Sequence, residues 1–179
     1  MATDRQKAET VHWHAVFTAS RAEKKVRDRL EELGVECFLP VQTVLRQWTY
    51  RKSRVVVPVI AGLVFVRVGR QEQVKVLQTK GVVAFLRLKG EAGAAVIPDK
   101  QMEDFRFLLD FSEEAVEMTN ENIKAGDLVR VVKGSLRGME GELIRHKGVT
   151  KVLVRIDMLG CAMVNIPASF AGDRARRRF

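Results

Sequence analysis

GDLVRVVKGSLRGMEGEL, residues 126–143, packs a strand, a glycine-rich turn and a second strand into one short window. Val129 and Val131 alternate with Arg130, the period of a half-buried strand. Gly134, Gly138 and Gly141 follow with no proline between them. Glycines at this spacing supply the positive φ angles that tight β-turns require. Around this window only short strands and turns are found, at Leu128–Val132, Glu142–Arg145, Val152–Ile156 and Ala162–Ile166. That is the pattern of a small SH3-like β-barrel.

Upstream the pattern changes. Val11, Trp13, Ala15 and Phe17 alternate along a strand. Ser20 followed by Glu23 fits a capping box, and the helix after it carries Ala22, Val26, Leu30 and Leu33 on its apolar side. Gly34 is placed to end that helix. A short strand over Val35–Leu39 closes at Pro40, and Val41–Tyr50 is extended into a basic turn at Arg51–Arg54. Val55–Val59 and Leu63–Val68 are β-branched strand material. Gln71–Thr79 reads as a helix and Val82–Leu88 as a strand. Pro98-Asp99 opens a third helix, with Met102, Phe105, Leu108 and Leu109 on one side. The order β-α-β-β-β-α-β-α predicts an α+β fold whose N-terminal part is a ferredoxin-like α/β sandwich. The expected organisation is a domain at 10–111, a polar linker at 112–125, a barrel at 126–171 and a basic tail at 172–179.

Charge points to an anionic partner. The 179 residues carry 31 Lys and Arg against 22 Asp and Glu, a net charge of +9, which favours nucleic acid or an assembly containing it. Hydrophobic content of 46% is enough for a packed core. Cys37 and Cys161 lie far apart, no Cys-rich framework or signal peptide is present, and the expected compartment is the reducing cytoplasm. No apolar run is long enough to span a membrane. Catalysis finds no support. The 134–141 turn lacks the Gly-Lys-Ser/Thr ending of a phosphate-binding loop, and no nucleophile motif is present. His12 and His14 share a strand face and offer two metal ligands without a third, which reads as a solvent-facing strand edge and not a metal site. No cofactor is expected.

The 126–143 window resembles a KOW motif, and the chain from Trp13 to Phe170 resembles the NusG family of transcription elongation factors. These join an N-terminal NGN domain to a C-terminal KOW domain. Trp13-His14-Ala15-Val16 is similar to the family's first strand, and Glu23-Lys24-Lys25-Val26 sits where its first helix begins. Phe38-Leu39-Pro40 matches a hydrophobic-Pro element, and Ile60–Val66 the family's FPGYVLV element. Gly81–Leu86 matches the PGV-x-x-F strand, and Ile97-Pro98 precedes the third helix. The departures are Ala61 and Leu63 for the Pro and Tyr of FPGYVLV, Ser135 for a turn proline, and Met158–Cys161 for an aromatic-Gly-Arg loop. That loop, with Val164-Asn165-Ile166-Pro167, looks more like specialised paralogues such as UpxY-type antiterminators of polysaccharide operons.

The resemblance implies a monomeric, non-enzymatic factor that grips the clamp helices of the largest RNA polymerase subunit and suppresses pausing or termination. The matching positions are Trp13, Phe38, Pro40, Ile60, Leu63 and Phe65, with Trp13 and Phe38 expected in the core and Ile60 and Leu63 at the interface. Non-template DNA or nascent RNA is the expected contact of Arg46, Arg51, Lys52 and Arg54 with Trp48 and Tyr50 interleaved, since cations neutralise phosphates and aromatics stack bases. A merely solvated hairpin tip stands equally beside it. Lys133, Arg137, Leu159 and Cys161 mark the KOW partner surface. That partner stays open between Rho, a ribosomal protein and RNA. The alternatives are a housekeeping NusG coupling polymerase to Rho or the ribosome, and a KOW-type RNA- or ribosome-binding protein.

Overall fold

The computed structural model describes residues 10–174. The fold is α+β and rich in strands. Contacts divide the chain into two compact units, Met1–Leu39 with Gly62–Pro98, and Pro40–Ala61 with Asp99–Phe179. The grouping departs from a division at a single linker, because the Val41–Pro58 hairpin and the third helix fall with the C-terminal residues.

The first unit holds β1 (His12–Thr18), α1 (Glu23–Glu32), β2 (Glu36–Phe38), β5 (Leu63–Val68), α2 (Glu72–Leu77) and β6 (Val82–Phe85). The sheet order is β2-β5-β1-β6, with antiparallel pairing throughout. A split β-α-β arrangement gives this order when each helix crosses on the same side. Both helices do: Cys37, whose partner is Val66, donates its thiol to Arg27 O of α1 at 3.7 Å, and Lys75 of α2 donates to Leu33 O at 2.6 Å. The helix-side layer contains His14, Val16, Val64, Val66 and Val68, all buried with Val26 and Leu30.

Two local expectations change here. The alternation of β1 predicted one buried face, but β1 lies inside the sheet, and His14, Val16 and Thr18 are buried as well as Trp13 and Ala15. The capping box does not form. Arg21 turns at φ 57°, α1 starts at Glu23 itself, and no side chain caps it. Glu23 therefore stands at the first helical position rather than the third, and its buried Oε1 accepts from Gly62 N–H at 2.7 Å. The carboxylate thus pins the turn before β5 to the start of α1.

The second unit holds the hairpin β3 (Val41–Trp48) and β4 (Arg51–Pro58), α3 (Asp99–Phe111), and β7 (Glu117–Thr119), β8 (Asp127–Val131), β9 (Glu140–His146), β10 (Val149–Ile156), β11 (Gly160–Asn165) and β12 (Ala171–Arg174). The hairpin is an insertion between β2 and β5, closed at its root by Val59 N–H donating to Pro40 O at 2.8 Å. Gln42 ties it to the segment after α3: its Nε2 donates to Val116 O at 3.2 Å and its Oε1 accepts from Val116 N–H at 2.9 Å. The amide thereby substitutes for a strand neighbour of Val116.

The six C-terminal strands form one antiparallel sheet in the order β12-β8-β9-β10-β11-β7. Val129, Val131, Val152, Val154 and Val164 are buried in it, and each such side chain contributes about 1.5–3 kcal/mol. Gly134 and Gly138 take the positive φ angles the turn requires, 78° and 93°. Gly141 does not. It is there because a Cβ would come within 2.7 Å of Val152 Cγ2. The polar stretch 112–125 is more than a linker, since Val116 is buried and β7 pairs with β11. Of the basic tail expected at 172–179, Gly172 to Arg174 belong to β12, and residues 175–179 lie outside the described residues.

Candidate functional site

Three sets of residues were marked in the sequence. The register gathers the first. Ala15 faces Phe65, Phe17 faces Leu63, Trp13 faces Arg67 and Phe38 faces Phe65, so Trp13, Phe38, Leu63 and Phe65 share the sheet face opposite α1 and α2. The Phe38 and Phe65 rings stack with centroids 6.2 Å apart. Trp13, Leu63 and Phe65 are buried, whereas Phe38 is half-buried. Core and surface members are therefore sorted differently from the sequence expectation. Leu63 is 2% exposed, and the solvent-open aromatic of this face is Phe17, at 42%. The alternation of β1 already put Phe17 on that face, and its place beside Leu63 needed the strand register. Pro40 and Ile60 stand at the hairpin root, in the second unit.

The second set lies on the hairpin. Pairing runs Trp48 to Arg51, Gln47 to Lys52, Arg46 to Ser53 and Leu45 to Arg54. Cross-strand partners share a face, so Arg46, Trp48 and Arg51 project together while Lys52 and Arg54 project from the other side with Leu45. Trp48 is 57% exposed and Tyr50, in the turn, 98%. Two large aromatic rings are thus set in water on a basic ribbon. Among the described residues none of the four cations pairs with a carboxylate. On this face the indole of Trp48 stands between the positions of Arg46 and Arg51.

The third set is divided. Lys133 and Arg137 are exposed in the turn after β8, and Leu159 is half-buried. Lys133 rims a cleft of about 290 Å³ floored by Val131, Leu136, Val164, Ile166 and Phe170. Cys161 is not on the surface: it packs in a buried cluster with Ile144, Leu153 and Met163, with Ile123 against it. Burial pushes its thiol above the ordinary value. Beside it Arg155 grips Glu142 through Nε at 2.7 Å and Nη2 at 2.9 Å, and Nη2 also donates to Ile123 O at 3.0 Å. This bidentate pair was invisible in sequence because β10 and β9 must be in register before the two residues meet.

His14 does not face solvent as its strand position suggested. Its Nδ1–H donates to Ala95 O at 2.8 Å and its ring meets the Phe85 edge, 5.8 Å between centroids. Burial pushes its pKa below the ordinary 6.5. Among the described residues no group of three or more His, Cys, Asp or Glu is placed to hold a metal, and no helix is long and apolar enough to cross a membrane.

A search of the curated proteins finds no match to the chain. Among solved structures it is similar to Thermotoga maritima NusG, in a structure describing its domain interaction, at 21% identity and a TM-score of 0.49. That alignment covers 90% of this chain and 96% of the other. It is also similar to the MjSpt4:Spt5 complex in conformation B, at 17% identity and a TM-score of 0.29, covering 89% and 95%. The family model described as transcription termination factor nusG matches residues 11–106, more than half of the chain. The chain belongs to the NusG family of transcription factors.

Proposed function

We propose that the protein is a non-enzymatic elongation and antitermination factor that binds RNA polymerase through its first-unit sheet and acts as a specialised paralogue of the UpxY type. The family match over residues 11–106 carries the reading, because it spans the strands that bear the aromatic face. The clamp helices of the largest polymerase subunit are the proposed partner of the part of that face open to water, at Phe17 and the half-buried Phe38. The proposed division is an NGN domain at 10–111 and a KOW domain at 126–171. The hairpin face of Arg46, Trp48 and Arg51 would touch the displaced DNA strand or nascent RNA. An exposed Trp between two guanidinium groups supports that contact. The departures at Met158–Cys161 support a partner other than the housekeeping ones.

The test uses a variant that leaves the core alone. Leu63→Asp would bury a charge and unfold the sheet, whereas Phe17 is open to water beside Leu63. Phe17→Asp should fold normally and retain less core polymerase in a pull-down. It should also lose its effect in run-off transcription across a terminator, measured with and without Rho. Retention equal to that of the unaltered protein refutes the assignment of this face.

A further inference from the structure

The outer edge of the C-terminal sheet is held by a strand of three residues. Thr119, Met118 and Glu117 of β7 lie opposite Cys161, Ala162 and Met163 of β11. The hold is short but chemically specific. Lys151 of β10 has a side chain only 5% exposed, and its Nζ reaches Glu117 Oε2 at 2.6 Å. Glu117 itself is 54% exposed. Six residues on, Ile123 packs on the buried cluster of Ile144, Leu153, Cys161 and Met163, while Arg155 holds its carbonyl. At the corner, Gly160 lets the backbones meet closely, since a Cβ there would stand 2.2 Å from Thr119 O.

These contacts define what the site accepts. Without β7, β11 would present unpaired N–H and C=O groups, which an extended chain satisfies and a nucleic acid does not. Lys151 would be left as a buried cation, which is costly without an anion. The Ile144 cluster would lose its cover. An occupant therefore needs an extended backbone, a carboxylate opposite Met163 and an apolar side chain further along. We propose that the β11 edge is a strand-docking site for an acidic, extended segment of a partner protein, and that β7 is the chain's own placeholder in it. A placeholder of three residues with a largely solvated glutamate is weak enough to be exchanged. The inference rests on the C-terminal sheet alone and is independent of the polymerase reading.

The test uses the full chain with Cys37→Ser, so that Cys161, 3% exposed under β7, is the reporting thiol. Glu117→Lys sets an ammonium against Lys151 and should expel β7. Cys161 should then react with a thiol reagent at least tenfold faster. The double variant Glu117→Lys with Lys151→Glu should return the rate to the starting value. In an NMR titration, the peptide EAVEMTNENIK (residues 114–124) should shift the β11 amides of the Glu117→Lys chain. It should bind the unaltered chain at least tenfold more weakly. The same peptide with lysine for its second glutamate should not bind. The proposal is overturned if Glu117→Lys does not speed the reaction, or if the charge-swapped pair stays fast, which would mean general unfolding. It is equally overturned if the acidic peptide leaves β11 unshifted, or if the lysine peptide or a single-stranded oligonucleotide shifts it equally.

Discussion

The hairpin register makes an asymmetric prediction about nucleic-acid binding. Arg46, Trp48 and Arg51 share one face, and Lys52 and Arg54 the other. A single strand running along the Trp48 face should stack a base on the indole and set phosphates against the two arginines. Trp48→Ala should leave folding within about 0.5 kcal/mol, because the side chain is 57% exposed. Loss of base stacking, about 1–3 kcal/mol, should weaken binding of a single-stranded oligonucleotide roughly 5- to 150-fold. Arg46→Ala with Arg51→Ala removes two phosphate contacts and should flatten the plot of log affinity against log salt by about 1.4. Lys52→Ala with Arg54→Ala, on the far face, should change that slope by much less. Fluorescence anisotropy with a labelled oligonucleotide over a range of salt concentrations measures all of these. Equal slope changes for the two pairs, or a Trp48→Ala protein that binds unaltered, would refute the one-faced reading.

Two further outcomes follow from the interior. Because burial lowers the pKa of His14 from 6.5, the unfolded chain binds the extra proton first. Its contribution to stability is complete above pH 6.5 and is lost as pH falls through the folded value. Urea midpoints should drop on acidification below pH 6.5, and His14→Gln should remove that part of the dependence. Gly138 and Gly141 should respond to alanine for different reasons. Gly138→Ala meets open space and should cost about 1–2 kcal/mol of left-handed backbone strain. Gly141→Ala crowds Val152 and should cost about 1–3 kcal/mol, partly recovered when Val152→Ala is added. Additive losses in that double variant would contradict the crowding.

The strands and helices were legible wherever apolar period and turn chemistry agreed, as along Val129–Val131 and through the α3 face of Met102, Phe105 and Leu108. They were illegible where pairing supplies what pattern does not. Glu-Met-Thr has one apolar residue and becomes β7 only because β11 offers an edge and Lys151 a charge. Ala171–Arg174 carries no strand pattern at all and is ordered against β8. Among the candidate residues, Arg46, Trp48, Arg51, Lys52 and Arg54 of the basic hairpin are exposed, as a run of cations suggests. The sequence could not rank Leu63 or Cys161, since alternation says that a residue has a face and never which neighbour covers it. Nor did the spacing of Glu142 and Arg155 hint at their bidentate contact.

The root of the hairpin carries an evolutionary consequence. One backbone hydrogen bond, Val59 N–H to Pro40 O, closes the insertion between β2 and β5. The four-stranded sheet β2-β5-β1-β6 contains neither strand of the hairpin, which pair with each other alone. The tip residues can therefore change in number or identity without altering the Val41 to Pro58 pairing at the root of the ribbon. It behaves as an interchangeable cassette, so that relatives could diversify what they recognise at this tip while the fold that presents it stays constant.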